Sequence, residues 1–248
     1  MTHPSPRAEI CRDSMLYWYL QIKDLDIPQP KTTVIELRRG DVSITDSIRP
    51  SASLVDRVIR AATPLKAPFF LRTDLASGKH EWLATCFVPS LDGKVVESHV
   101  ERVIEFNLCA DLLGLPFRAL VVREYIPMDE AFTAFLGTPI NPERRYFVKD
   151  GAVTCHHPYW IEDAIRFWHP FPEPCGWREL LKKANTETPE EVDLLSGYAL
   201  KAARVLEGSW SVDFCRGRDG TWYLIDCATA ERSYHPTPCQ FARMEEGT

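Results

Sequence analysis

Two aspartates that interrupt apolar strands have the residue type and the placement expected of a metal site. Asp213 lies in SVDF and Asp226 in LIDC, near the ends of one predicted hairpin. A carboxylate in a buried strand is costly unless it is paired or binds a cation. A hard cation such as Mg²⁺ would take oxygen from both acids and from phosphate. The sequence leaves an alternative open, in which each acid pairs with a nearby arginine: Arg216, Arg218 or Arg232.

Two basic residues form a candidate phosphate site. Arg72 ends a hydrophobic strand, and Lys79 follows in the same loop after Ser77 and Gly78. Arginine binds phosphate as a planar fork and lysine binds it as a point charge on a flexible stem. The spacing lacks the GxxxxGK[ST] pattern of a P-loop, so the fold built on that loop is not supported. The alternative for Lys79 is a solvated loop charge.

A third group lies in ERRYFVKDG. Side chains alternate along a strand, so Glu143 and Arg145 share one face and Arg144 points to the other. One face therefore presents an acid and a base to whatever covers the sheet. The alternative is a cross-strand ion pair at the surface.

The other reactive side chains do not form a recognisable motif. His156 and His157 follow Cys155, but adjacent residues of a strand point to opposite faces, so we expect no zinc site there. The cysteines are widely separated without a CxxC pair, and Cys227 is interpreted as a small buried hydrophobic residue. The tryptophans of segment 160–177 fit core packing, the default, or an exposed binding surface.

The elements that would position these groups are short apolar strands and amphipathic helices. Asp150-Gly151 is a strong hairpin signal. In chain order we predict a strand at 32–37, a helix at 53–62, a strand at 68–72, a polar loop, a helix at 100–113 ended by Gly114, a strand at 119–126, a hairpin at 145–148 and 152–155, a helix at 189–206, and a hairpin at 211–214 and 221–227. The pattern predicts an α+β fold with antiparallel sheets and helices on their outer faces.

Composition and charge exclude several classes of protein. A chain of 248 residues with 45% hydrophobic content can bury a substantial core. The 35 acidic and 29 basic residues are mixed along the sequence, which argues against a nucleic-acid or membrane-surface patch. There is no signal-like apolar segment and no run of about 18 apolar residues. We therefore expect a cytoplasmic protein with reduced cysteines and no membrane partner.

Taken in order, these segments resemble the ATP-grasp superfamily across roughly residues 15 to 235. IPQPKTTVI resembles the connector and strand that open the family's first lobe, PFFLRTDLASGKH its strand and lid loop, and REYIPMD its hinge. ERRYFVKDG is similar to the glutamate-x-arginine strand and hairpin, and SVDFCRGRDGTWYLIDCATA to the closing hairpin. This chain has an arginine at a position where many members of the superfamily have a lysine. In this it resembles the arginine-and-lysines clade of the superfamily.

The resemblance implies two lobes of antiparallel sheet with flanking helices and with the nucleotide in the cleft between them. Residues 1–27 would be a short N-terminal segment in place of a full substrate domain. Residues 28–120 would form lobe 1 with the lid loop, and residues 121–248 would form lobe 2 with the magnesium site.

The resemblance also assigns ATP and Mg²⁺ as ligands and gives roles to single residues. Arg72 would contact the α- or β-phosphate, Lys79 the phosphates from the lid, and Arg145 the γ-phosphate or an acyl phosphate. These three are the expected catalytic residues. Asp213 and Asp226 would hold magnesium. The family's last strand carries an acid followed by an asparagine, whereas here a cysteine follows Asp226.

The nucleotide base and ribose would bind at the hinge. Glu124, Tyr125 and Ile126 would line the adenine slot, and Asp129 would contact the ribose. Glu143 is the remaining residue expected to bind the cofactor.

The implied function is an ATP-dependent carboxylate–amine ligase of the peptide type that works through an acyl phosphate and releases ADP. Its partners would be ATP, a carboxylate substrate and an amine acceptor, which would be an amino acid, a peptide or a protein. The chain also resembles the cell-division-cycle-type assembly factors for translation initiation. That likeness implies an ATP-binding assembly protein without ligase activity, with segment 160–177 as its partner surface. A phosphotransferase acting on a small hydroxyl compound is a third alternative.

Overall fold

The computed structural model of the chain describes residues 11–44, 47–109, 117–165 and 172–236. Single turns of 3₁₀ helix occur at Lys79–Glu81 and Ala230–Arg232. In chain order the other elements are α1 (Met15–Ile22), β1 (Thr32–Glu36), β2 (Val42–Ile44), β3 (Ile48–Pro50), α2 (Ala52–Ala62), β4 (Phe69–Thr73), β5 (Phe87–Val88), α3 (Gly93–Cys109), β6 (Ala119–Glu124), β7 (Phe132–Ala134), β8 (Thr138–Ile140), β9 (Glu143–Lys149), β10 (Ala152–Pro158), α4 (Glu162–Ile165), α5 (Trp177–Asn185), α6 (Pro189–Ala203), β11 (Ser209–Arg216) and β12 (Trp222–Thr229).

Lobe 1 is an antiparallel sheet with strand order β1-β6-β4-β5, packed against α2 and α3. The helix α2 begins where the Ser51 side chain accepts a hydrogen bond from the Leu54 amide, and it ends at Ala62, two residues before Pro64. Its apolar residues recur at intervals of three and four, so one stripe is buried against the sheet. The packed helices hold the sheet, and with it β4, in a fixed position. Arg72 is the next-to-last residue of β4.

Lobe 2 is an antiparallel sheet with strand order β10-β9-β11-β12. The helix α6 lies against one face, with the Thr188 side chain capping its first turn. The β9–β10 turn places both Asp150 and Gly151 at positive φ, 48° and 80°, as a tight hairpin turn requires. The opposite face of the sheet is turned toward lobe 1, so the residues that alternate onto that face can meet those of β4.

The N-terminal helix belongs to the core of lobe 2. Met15, Trp18 and Ile22 of α1 are fully buried in one cluster with Trp210 and Val212. The predicted lobe boundary between residues 120 and 121 falls inside β6, which pairs with β1 and β4 as far as Glu124. We therefore place the boundary after Glu124 and count α1 with lobe 2.

A small third cluster covers one end of the cleft. The β7–β8 ribbon packs against Trp160 and Trp177, which are 3% and 2% exposed. The core interpretation of these two tryptophans is confirmed, and the expectation that they form an exposed partner surface is wrong. Residues 166–171 of the same segment lie outside the described residues.

One predicted helix has the wrong start. The sequence pattern predicted a helix from residue 100, but α3 begins at Gly93 because the Asp92 side chain accepts hydrogen bonds from the amides of Lys94 and Val95 at 3.0 and 3.3 Å. The expected glycine cap, Gly114, lies outside the described residues. Within the described ranges, no helix combines the length and the apolar content needed to cross a bilayer.

Candidate active site

A cleft between the two lobes contains most of the candidate residues. The space between its walls measures about 840 Å³, including its open mouth. Nine of the ten residues singled out from the sequence line it: Arg72, Lys79, Glu124, Tyr125, Ile126, Glu143, Arg145, Asp213 and Asp226.

The two aspartates face each other across the closing hairpin. Asp213 of β11 and Asp226 of β12 are register partners, and both side chains line the cleft. A register shift follows directly after Asp213, where β11 and β12 accommodate an irregularity. Both acids therefore lie on the sheet face that is turned toward lobe 1.

Each aspartate is paired with an arginine. Arg72 of lobe 1 lies 3.0 Å from Asp226, and the Arg72 side chain is only 4% exposed. Arg145 of β9 binds Asp213 at two points, Nε to Oδ1 at 2.8 Å and Nη2 to Oδ2 at 2.7 Å. The pairing alternative is thus realised, but with arginines from β4 and β9 in place of those close in sequence.

Lys79 reaches from the loop between β4 and β5, called here the lid loop, into lobe 2. Its ammonium lies 2.9 Å from Oε1 of Glu143 and above the rings of Tyr159 and Trp160, at 3.6 and 4.7 Å from their centroids. Thr138 donates a hydrogen bond to the Lys79 carbonyl, which holds the loop backbone in place. The solvated-charge interpretation of Lys79 is wrong, because its side chain is enclosed.

Burial and neighbouring charges shift the pKa values of Glu143 and Lys79. Burial raises the pKa of Glu143, and the neighbouring Asp213 raises it further, while Lys79 opposes the rise. Burial disfavours the charge on Lys79, but Glu143, Tyr159 and Asp213 together outweigh the effect of burial and raise the Lys79 pKa above its usual range. The alternative of a cross-strand ion pair at the surface is half right: Arg145 does pair across the sheet with Asp213, but the pair is buried, and Glu143 pairs with Lys79 of lobe 1.

Three ion pairs in the cleft determine which ligands it can bind. Each joins one cation to one carboxylate: Arg72 to Asp226, Arg145 to Asp213, and Lys79 to Glu143. A triphosphate offers anionic oxygens to the cations, and a divalent cation offers positive charge to the acids. The same side chains can therefore exchange partners when both ligands enter together, with the cations turning to phosphate and the two aspartates to the divalent ion.

The residues fit a magnesium ion that arrives with phosphate. The described residues contain no group of three or more His, Cys, Asp or Glu side chains arranged to hold a metal. Mg²⁺ is commonly bound in proteins by one or two carboxylates together with substrate phosphates and water. Asp213 and Asp226 match that donor set, with Asp226 the more accessible at 34% side-chain exposure.

The other end of the cleft is apolar and aromatic. Phe70 and Trp82 line it, and their ring centroids are 5.6 Å apart. The strand β6 ends at Glu124, so the backbone of Tyr125 and Ile126 leaves the sheet ladder at this point. A planar heterocycle could therefore meet apolar side chains and backbone polar groups in one slot.

Asp129 lies away from the cleft lining. Its Oδ2 accepts hydrogen bonds from Nε and Nη2 of Arg216 at 3.0 and 2.6 Å, in a separate surface depression. Met128, the preceding residue, lines the cleft instead. The placement gives the expected ribose contact no support.

Sequence reasoning missed three cleft residues: Arg123, Tyr159 and Trp160. Arg123 binds Oγ1 of Thr32 at 3.1 Å and the carbonyl of Ile225 at 2.5 Å, so it connects the two lobes. Burial, together with the nearby Arg72, lowers the pKa of Arg123 to about 10. Arg123 could have been found because it is a charged residue inside an apolar strand. Tyr159 and Trp160 could not, because nothing in the local sequence distinguishes an aromatic residue of a binding site from one in the core.

A family model for the ATP-grasp domain of the arginine-and-lysines clade, family 3, matches residues 60–246. The chain belongs to this family. The match extends from α2 through the closing hairpin and includes all the candidate residues. The ATP-grasp resemblance, its arginine-and-lysines clade and the α+β fold predicted from the sequence are thereby confirmed.

Solved structures with the same fold include Cdc123 from Schizosaccharomyces pombe, with a TM-score of 0.55 and 16% identity over 88% of this ATP-grasp chain and 83% of that one. D-alanyl-alanine synthetase A from Vibrio cholerae matches with a TM-score of 0.50 and 12% identity, over 88% of this chain and 54% of that one. The chain thus spans about half the length of that synthetase. At such identities the likeness is one of fold. No curated protein sequence matches the chain significantly.

Proposed function

We propose that the chain binds ATP with magnesium in this cleft and uses the nucleotide to join a carboxylate to an amine. The observation that carries the proposal is the meeting of Arg72 and Lys79 from lobe 1 with Arg145 and two opposed aspartates from lobe 2. Cations for phosphate and acids for a divalent ion are held within hydrogen-bonding distance of each other. The apolar slot at the other end of the cleft suits the base.

The proposed reaction has two steps. A substrate carboxylate oxygen attacks the γ-phosphorus, the new O–P bond forms, and ADP leaves with the electrons of the broken bond. The amine, bound as an ammonium, first gives up a proton to water. Its neutral nitrogen then attacks the acyl carbon, the C–N bond forms, inorganic phosphate leaves with the electrons of the broken C–O bond, and the nitrogen releases a second proton to water. Neither step needs a nucleophile from the protein.

The chain contributes orientation and charge. Arg145 is oriented by its two-point bond to Asp213, and its guanidinium would neutralise charge on the phosphoryl group that is transferred. Arg72 and Lys79 neutralise the other phosphate oxygens. Magnesium held by Asp213 and Asp226 would supply further charge neutralisation.

The proposal is tested by nucleotide binding and by product analysis. Calorimetry with ATP and MgCl₂ should show one site, and Arg145→Met should weaken binding or turnover. Asp26→Asn, which removes an exposed acid paired with Lys201, is the matched control and should behave as wild type. Incubation with mixtures of amino acids and peptides should release ADP and phosphate together with a condensed product. Failure to bind ATP with magnesium would overturn the proposal.

A second candidate is an ATP-binding protein that grips a protein partner without consuming the nucleotide. It is favoured by an apolar patch at the cleft rim, where Leu83 of the lid loop and Leu136 of the β7–β8 turn are 61% and 40% exposed and adjoin each other. Bound ATP that stays intact in the presence of a stoichiometric protein partner would select this candidate. Phosphate release that depends on a small carboxylate would select the ligase.

A further inference from the structure

The ammonium of Lys79 occupies a cage that is built entirely by lobe 2. Glu143 supplies a carboxylate at 2.9 Å, and Tyr159 and Trp160 supply two aromatic faces. An acid and two rings around one nitrogen are the recognition elements for an alkylammonium ion. The lid loop supplies the cation but none of the walls.

The cage stands without the lid loop. The Tyr159 amide donates to the Glu143 carbonyl at 2.9 Å, which fixes the ring beside the carboxylate. The Trp160 carbonyl accepts from Nδ2 of Asn185 at 2.7 Å, at the end of α5. Glu143 and Trp160 are each 3% exposed, so both walls are locked by packing. Removal of the Lys79 side chain therefore leaves the recognition elements in place.

Nucleotide binding would leave this cage without its cation. When Lys79 turns to phosphate, the Glu143 carboxylate is buried, close to Asp213 and without its partner. A buried carboxylate in that state is disfavoured, and a second cation or a proton relieves it. Within the described residues, the buried indole N–H of Trp160 also has no hydrogen-bond partner.

We propose that Glu143, Tyr159 and Trp160 form the binding site for a primary ammonium group, which Lys79 fills until the nucleotide draws it away. The inference rests on the proposed ligase function and adds where the acceptor amine binds. Lys79 then couples the two sites, because it leaves the amine site only when phosphate is present.

The fit is to a primary ammonium. The Lys79 nitrogen lies 3.6 Å from the Tyr159 centroid and 2.9 Å from the Glu143 oxygen, so both walls are in direct contact with it. N-methyl groups would need space that these contacts already fill. Ethylammonium should therefore bind and tetramethylammonium should not.

The first experiment empties the cage by Lys79→Ala and adds ethylammonium chloride, with tetramethylammonium chloride and sodium chloride at equal ionic strength. Only ethylammonium should raise the melting temperature, and the double variant Lys79→Ala/Glu143→Gln should lose that response. Equal responses to all three salts would overturn the inference. This experiment needs no nucleotide, so it decides about the cage even if the chain does not bind ATP.

The second experiment uses the wild-type chain and decides alone if Lys79→Ala does not fold. Ethylammonium and glycinamide are titrated with and without magnesium and a non-hydrolysable ATP analogue. Affinity should rise when the analogue is bound, and Glu143→Gln should weaken amine binding about tenfold. Amine affinity that is the same with and without the bound analogue would contradict the exchange. Failure of the analogue itself to bind would count against the proposed function, and the Lys79→Ala result would then decide about the cage.

Discussion

Arg145 and Asp213 are register partners on β9 and β11, and their side chains form a two-point ion pair with 12% and 7% exposure. Tyr159 closes the group, with its ring centroid 4.7 Å from the Arg145 guanidinium carbon. The backbone ladder thus fixes the distance between the two charges before any ligand enters. In the proposed function, an arginine held this way would bring an already oriented guanidinium to phosphate at little further entropic cost.

Loss of the acid from this pair should destabilise the fold. Asp213→Asn keeps the shape of the side chain but leaves the buried Arg145 without a counter-charge, and we expect a loss of about 3 kcal/mol in the free energy of unfolding. Urea denaturation followed by tryptophan fluorescence measures it. The matched control is Glu162→Gln, which breaks an exposed pair with Arg178 and should change stability little. Equal effects of the two variants would contradict the assignment of Arg145 and Asp213 as a buried pair.

Removal of the Asp226 carboxylate should change how the affinity for ATP depends on magnesium. In Asp226→Asn, Arg72 no longer has to leave a carboxylate before it binds phosphate, so metal-free ATP should bind more tightly than to wild type. Affinity for ATP with magnesium should fall, because one metal ligand is lost. Calorimetry with MgCl₂ or with EDTA measures both values.

The opposite signs of these two changes separate exchange from simple damage. Asp26→Asn removes the same charge from an exposed site and should leave both affinities unaltered. A variant that weakens both forms of ATP equally would show that Asp226 acts only through the fold.

The stability of the chain should fall as the pH drops below about 6.5, and His157 should account for part of the loss. Burial lowers the pKa of His157, and the nearby Arg145 and His235 lower it further. The folded chain therefore resists a proton that the unfolded chain takes up below the ordinary histidine pKa, so stability is lost toward acid. His157→Gln should flatten the profile of melting temperature between about pH 7 and about pH 5, a range that includes the ordinary histidine pKa of about 6.5 and extends mainly below it. An unchanged slope would contradict this role.

Local sequence patterns predicted the elements that carry the site but did not predict its pairing. Alternation along ERRYFVKDG correctly placed Glu143 and Arg145 on the cleft face, and the Asp-Gly pair correctly marked the turn. The arginine partners of Asp213 and Asp226 come from strands distant in the chain, and residue spacing does not encode such contacts. The basic and the acidic residues, which the sequence suggested as separate sites, form ion pairs with each other.

The aromatic segment shows a different limit. Trp160 and Trp177 are buried where the short β7–β8 ribbon packs against them, and three-residue strands give too little alternation to be recognised. The start of α3 was missed for a related reason, since its cap is a single Asp92 side chain that precedes the clear helical spacing. Fold class was therefore accessible from periodicity, whereas the walls of the cleft depended on tertiary contacts.

Two adjacent arginines offer a test that separates folding from function. Arg144 is fully buried on the outer face of β9, where its Nε lies 2.8 Å from Glu191 and 3.1 Å from Glu187. Arg144→Met leaves both acids without their cation and should lower the free energy of unfolding by about 4 kcal/mol. Because the sheet separates it from the cleft, nucleotide affinity should stay within about twofold of wild type.

Arg145→Met removes the neighbouring charge from the cleft face and should reduce ATP affinity or ADP formation by about tenfold or more. Calorimetry and product release, measured at a temperature where both variants are folded, give the comparison. Arg144→Lys, which keeps the positive charge, replaces Arg144→Met if that variant proves too unstable to purify. A loss of nucleotide affinity in the Arg144 variant as large as that in Arg145→Met would mean that the two faces of β9 are not functionally separate. The proposed role of Arg145 in nucleotide binding would then lose its support, since alternation along one strand is what distinguishes the two residues.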